Sequence, residues 1–211
     1  MLIKKIERVK GRKNIFKIFS ENEKSFLLSA DAIVKFELKE GKILTEVEFK
    51  EILSFDKSGS VIADALLLVG KHPYGSKSLY DKLIIKGHDP RNAQAAVDRL
   101  KKLNYLNDAK FAADYVQYLK NKGKGEFVLR HELERHLADK NIIDNILKTL
   151  REAEEPHERI IGIIRKNFKK LDFKDKNEVR KAAAFFLRRG FSSENIAKAL
   201  REYKGVNLDE N

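Results

Sequence analysis

Apolar and polar positions along this chain follow two different rhythms. Before about residue 56 they alternate singly. In Asn14 to Ser20, Phe16 and Ile18 fall on one face and Ile15 and Phe19 on the other, which is the period of a β-strand. Ser20 to Lys24 is polar and turn-like, and Ser25 to Leu28 resumes the apolar run, so the stretch predicts a β-hairpin. Gly11 and Gly41 mark further turns. Asp31 to Phe36 fits helix and strand equally. Lys42 to Phe55 reads as strand or turn at its start and helix at its end. Residues 1–56 thus form a small β-rich segment.

From Ser58 onward the apolar positions recur at three and four residues, and nine short helices are expected. Asp89-Pro90 is a helix start, with Asp as cap and Pro where its missing N–H costs nothing. Asp175 with Glu178 fits a capping box, and Ser192 or Ser193 can cap the last helix. Gly70, Gly87, Gly123 and Gly190 fall where helices should stop. Phe111, Ala112, Tyr115, Val116 and Leu119 make a core stripe that leaves Tyr118 outside. Phe185, Phe186 and Phe191 read as packing residues.

Three stretches repeat one another: Ile84 to Ala93, Leu137 to Ile146, and Leu187 to Ile196. Each opens apolar, turns at its fourth position (Gly87, Lys140, Gly190), restarts a helix and carries Asn at its ninth. The apolar positions that follow are Ala93, Ala96 and Val97; Ile146, Thr149 and Leu150; Ile196, Ala199 and Leu200. Lys140 replaces the turn glycine, so the second copy needs a different helix termination or a strained residue. The expected architecture is mainly α: three tandem three-helix repeats in an elongated, curved array behind the β-rich segment. The boundaries are 1–56, then repeats at 57–106, 107–155 and 156–205, and a tail at 206–211.

Charge adds a partner class. The 211 residues carry a net charge of +12 and contain no Cys, which favours polyanionic partners and excludes disulfides and thiolate metal sites. Basic residues outnumber acidic ones 12 to 10 over residues 1–56, 9 to 4 over 57–106 and 14 to 8 over 156–211, while 107–155 holds 9 basic and 10 acidic. That distribution suits outer repeats that meet phosphates and a middle repeat that meets protein. The candidate contacts are Lys101, Lys102, Lys120, Lys122, Lys124, Arg130, Arg165, Lys166, Lys169, Lys170, Arg188 and Arg189. Cations at helix C-termini are also ordinary dipole partners, which covers Lys101, Lys120 and Arg188 without a ligand. Arg165, Arg188 and Arg189 are preferred because guanidinium matches phosphate geometry. Their reversal to Glu is expected to weaken partner binding without unfolding the chain.

Catalytic patterns fail on inspection. His131 and His136 resemble a zinc-protease pair, but their spacing of five separates them by about 140° around a helix, and both read as exposed helix residues. Gly123-Lys124-Gly125 lacks the upstream Gly and the Ser/Thr of a phosphate-binding loop. No cofactor, metal or enzymatic activity is expected. The longest apolar run, Ala65 to Val69, is far short of a membrane span. Met1 to Glu7 lacks the apolar core and cleavage site of a signal peptide, so a cytoplasmic protein is expected; the sequence carries no sign of oligomeric state, and a monomer is the default expectation.

The second repeat carries Tyr105-Leu106-Asn107-Asp108, then Phe111-Ala112, Tyr115-Val116, the Gly123 to Gly125 loop, Leu129 and Glu132-Leu133. This order resembles the core pattern of RecX regulatory proteins, and Leu83 to Gly87 resembles that family's Leu-x-x-Lys-Gly helix end. The resemblance spans about 57–205, with Lys140-Asn141 departing from the usual Lys-Gly turn. It implies tandem three-helix repeats, no enzymatic activity, and binding in the groove of the RecA filament on single-stranded DNA. There the family limits ATP hydrolysis, strand exchange and co-protease activity. Two other readings stay open on the residues alone: a direct DNA-binding regulator of three-helix modules, and a helical-repeat protein scaffold.

Overall fold

The computed structural model describes residues 1–11, 14–22, 24–153, 155–168, 172 and 175–209. Its β-rich part is a three-stranded antiparallel sheet in the order β1 (Ile3–Arg8), β2 (Ile15–Ser20), β3 (Ser25–Ser29). The β2–β3 hairpin is the expected one, with Ile18 opposite Phe26. The first strand was not legible, because its apolar residues, Ile3 and Ile6, are three apart. The β1–β2 register shifts between Ile3 and Lys5. The shift lets an odd and an even position both face the core. Gly11 and Gly41 turn with φ of 80° and 82°. The ambiguous stretch after Asp31 is helical: α1 spans Ala30–Lys35 and is capped by the Ser29 hydroxyl. Ile18, Leu28, Ile3, Ala32, Leu38, Leu44 and Ile52 form one buried cluster.

The next helix, α2 (Glu46–Val69), is 24 residues long rather than short. Thr45 starts it with a full capping box. The Glu48 N–H donates to the Thr45 hydroxyl (3.1 Å), and the Thr45 N–H donates to the Glu48 carboxylate (2.8 Å). α2 runs unbroken through residue 56, so the expected boundary at 56 and 57 falls inside a helix. After it come α3 (Ser76–Ile85), α4 (Pro90–Lys102), α5 (Asp108–Asn121), α6 (Glu126–His136), α7 (Lys140–Ala153), α8 (Pro156–Asn167), α9 (Lys176–Arg188) and α10 (Ser193–Asp209). The last helix extends into the stretch read as a tail; Glu210 and Asn211 lie outside the described residues.

The repeat is visible in the packing. In each group of three helices the first packs against the third: α2 on α4, α5 on α7, α8 on α10. Ala93, Ala96 and Val97 are buried on α4 and Ile196 and Ala199 on α10, whereas on α7 the buried residues are Ile143 and Leu147, and the expected Ile146 and Leu150 are only partly buried. Thr149 is exposed and returns its hydroxyl to the Asn145 carbonyl (3.0 Å). Asp89 and Ser192 cap as expected, with N–H donors Asn92 (3.1 Å) and Asn195 (3.2 Å). The box expected at Asp175 differs. Its carboxylate accepts from Asn177 (2.7 Å), while Glu178 accepts from the Asp172 N–H (2.9 Å).

Gly87 and Gly190 turn with φ of 91° and 87°. The Lys140 position resolves without strain. α6 stops at Leu137 in extended backbone (φ −120°, ψ 142°), Asp139 accepts the Asn141 N–H (2.9 Å), and Lys140 is the first residue of α7.

The chain divides into two compact units: Met1–Lys71 with Lys82–Lys102, and His72–Asp81 with Leu103–Asn211. Within the second, the same joint is built twice. A β-carbon on Gly75 would strike the His136 carbonyl and come within 2.6 Å of the Leu137 side chain. A β-carbon on Gly125 would strike the Gly190 carbonyl and come within 2.5 Å of the Phe191 nitrogen. Each glycine immediately precedes the second helix of its repeat and presses on the end of the next repeat's second helix. Backbone bonds close the later joint: Gly125 N–H to the Arg189 carbonyl (2.7 Å) and Phe127 N–H to the Gly190 carbonyl (3.1 Å). At the earlier one, Ser76 N–H donates to Asp108 (2.7 Å) and the Lys77 ammonium to the Glu134 carbonyl (2.7 Å).

Candidate functional site

The later joint gathers several of the basic residues picked out by sequence. The Arg189 guanidinium donates to the Lys122 carbonyl (2.7 Å) and lies 4.2 Å from the Phe185 ring centroid. Gly123 sits between Arg189 and Ile163: its missing β-carbon would lie 3.1 Å from the guanidinium and 3.5 Å from the Ile163 side chain. Lys122 and Lys124 flank that glycine. Lys166 lies three residues beyond Ile163 on α8 and so shares its face. The loop after α5, the end of α8 and the end of α9 therefore form one basic seam. Arg159 also belongs to it. Its guanidinium donates to the Lys124 carbonyl (2.7 Å) and lies 5.6 Å from the Phe191 ring. Sequence reading missed Arg159 because it stands alone, outside any run of cations.

The cations of the seam divide by use. Arg189 and Arg159 are committed to carbonyls, and the Lys122 ammonium lies 5.7 Å from the Tyr118 ring. Lys166 and Arg188 are exposed and make no ion pair or hydrogen bond among the described residues; Arg165 is equally exposed and unpaired but, two residues from Ile163, lies on another face of α8. Reversing Arg189 therefore tests the joint as much as any ligand. Elsewhere, Arg130 pairs with Asp144 (2.7 Å), and Lys120 is partly buried in the last turn of α5. Lys101 and Lys102 end α4 in the other compact unit. Lys169 and Lys170 lie outside the described residues.

The two histidines part company. His131 is exposed as expected, but His136 is not: it packs against Phe111 (5.3 Å between ring centroids) and Tyr115 (5.0 Å). Burial pushes its imidazole below the usual range; Glu132 opposes this and Arg135 adds to it. With the folded pKa below the unfolded value of about 6.5, the unfolded chain takes up the proton first as pH falls. Stability from this residue is therefore complete above about pH 6.5 and declines below it, towards the lowered folded pKa. Melting curves from pH 8 to 5 should show a shallower pH dependence for His136→Gln than for the native chain. Identical slopes would remove His136 as the source.

The fold defines the class: a helical-repeat protein of tandem three-helix units with a basic seam between the second and third. No family model matches the chain. It is 32% identical over 214 residues to the regulatory protein RecX of Bacillus subtilis (strain 168), covering 99% of this chain and 79% of that one. It is 27% identical over 201 residues to the regulatory protein RecX of Caldanaerobacter subterraneus, covering 95% and 98%. A crystal structure of regulatory protein RecX aligns with a TM-score of 0.66 at 20% identity, covering 95% of this chain and 98% of that one. One of RecX from Lactobacillus salivarius aligns at 0.60 and 22%, covering 71% and 97%. The chain belongs to the regulatory protein RecX family. Among the described residues no helix is long and apolar enough to cross a membrane.

Proposed function

We propose that this chain is a non-catalytic regulator that binds the RecA filament on single-stranded DNA and restrains it. The observation that carries this is the basic seam, where Lys166 and Arg188 stand unpaired beside a joint that fixes the elements bearing them, with Arg165 exposed on another face of α8. Membership of the family supports it. In this reading the helix triplets α2–α4, α5–α7 and α8–α10 act as successive units of one monomer in the cytoplasm, with no cofactor. The action is steric and electrostatic: the repeats occupy a groove of the filament while exposed cations meet DNA phosphate or acidic protein surface.

The test is RecA ATPase on single-stranded DNA, with filaments assembled before the protein is added so that competition for bare DNA plays no part. Inhibition is expected well below one copy per RecA. The variant Arg165→Glu/Lys166→Glu/Arg188→Glu should keep its helicity and bind filament about tenfold more weakly or worse, since like charges facing each other across an interface cost several kcal/mol. No inhibition by the native chain at saturation would overturn the proposal. Equal affinity for bare DNA, with a steep salt slope, would mark a direct DNA-binding regulator instead.

A further inference from the structure

The middle repeat and the loop before α3 frame a groove of about 380 Å³ lined by Pro73, Phe111, Asp114, Tyr115, Tyr118 and His136. It lies on α5, at the earlier joint. Two of its ring walls have their polar atoms withdrawn from solvent. The Tyr115 hydroxyl donates to Glu132 (3.2 Å), and the His136 Nδ1 is buried without a hydrogen-bond partner among the described residues. The ring faces are already in use along the helix. Phe111 stacks on Tyr115 (5.3 Å, 25°), Tyr115 on Tyr118 (6.0 Å, 13°), and Lys122 lies 5.7 Å from the Tyr118 centroid. Tyr118 is nonetheless 54% exposed. Asp114, exposed on the groove wall, makes no ion pair or hydrogen bond among the described residues.

These features choose between occupants. A nucleobase binds by stacking on an open aromatic face, beside cations that take its phosphates. Here Tyr118 already packs on Tyr115, with the Lys122 ammonium 5.7 Å from its centroid, and the unpaired charge on the wall is a carboxylate. An aliphatic side chain needs apolar groove walls, which exposed Pro73 and Tyr118 supply, and a neighbouring cation needs an unpaired acid. Such anchor pockets carry a large share of interface affinity. We propose that this groove docks a segment of the partner protein, inserting an aliphatic side chain among the rings and setting a Lys or Arg against Asp114. The proposal rests on the filament-binding reading and names the protein-facing part of it, as the basic seam names the phosphate-facing part.

The experiment uses the full chain with Tyr118→Ser and Asp114→Lys, made separately. Both positions are exposed, and melting temperature confirms that each variant folds. Affinity is read by anisotropy on RecA filaments assembled on poly(dT), and on poly(dT) alone. Each variant should lose about tenfold or more on the filament and change less than twofold on bare poly(dT). Unchanged filament affinity in both variants would overturn the docking site. A parallel loss on bare poly(dT) would do the same and assign the groove to nucleic acid. Native protein that fails to bind the filament overturns the functional reading itself and this proposal with it, whereas native binding with insensitive variants removes the groove alone.

Discussion

Gly125→Ala should lower the melting temperature of the second compact unit by about 10 °C, or detach its third repeat into a separate, earlier transition. The added methyl would meet the Gly190 carbonyl and the Phe191 nitrogen at 2.5 Å. Both belong to backbone, so no side chain can swing aside. Relief requires the loop to retreat from the end of α9. That retreat sacrifices the bonds from the Gly125 N–H to Arg189 (2.7 Å) and from the Phe127 N–H to Gly190 (3.1 Å). Overpacking at a rigid site costs about 1–3 kcal/mol, and each lost backbone bond adds about 1 kcal/mol. The sum, about 3–5 kcal/mol, corresponds to about 10 °C at 2–4 °C per kcal/mol. Gly162→Ala is the control. Gly162 lies inside α8 with open space where a β-carbon would go, and Ala is the better helix former by about 1 kcal/mol. A melt of Gly125→Ala equal to that of the native chain would show that the two repeats do not depend on this contact.

The joint also marks where legibility ends. Helix faces repeat within a few residues, so the α5 stripe and the three repeated turns stood out. The hairpin at Ile15 to Ser29 stood out for the same reason at period two. Gly75 and Gly125 act through partners about 60 residues away, and their only local sign is that they lie 50 positions apart, like the turns. Thr45 and Glu48 did spell a capping box, but lay in a stretch read as beginning in strand. The site was half legible for a related reason. Sequence counts cations but does not say which are spent. Arg189 is one of three arginines preferred in sequence as phosphate contacts, yet its guanidinium is held by the Lys122 carbonyl and Phe185. Arg188, preferred in sequence but equally explicable as a helix-dipole partner, is exposed and unpaired among the described residues. Lys140 looked like a strained turn and is an ordinary helix start, because Asp139 supplies the cap.

Phe186→Ala should be the most costly single truncation in the third repeat. Its side chain is fully buried, and its ring meets Phe185 (5.2 Å, 90°), Phe191 (5.8 Å, 82°) and Phe168 (6.0 Å, 44°). Removing such a ring costs about 3–5 kcal/mol in transfer and cavity terms, and edge-to-face pairs add about 0.5–1.5 kcal/mol each. Phe185→Ala is the informative comparison. That ring is only partly buried, so its packing loss is smaller, but it removes the surface on which Arg189 rests. Phe186→Ala should therefore melt the third repeat and abolish the proposed filament inhibition at 37 °C, with both recovering together on cooling. Phe185→Ala should melt later while still weakening inhibition at 25 °C, because the Arg189 link to the Lys122 loop loosens in a folded protein. Circular dichroism melts paired with the ATPase assay at both temperatures separate the two. If Phe185→Ala inhibits like the native chain at 25 °C, the geometry of the seam does not govern binding, and the exposed cations act without it.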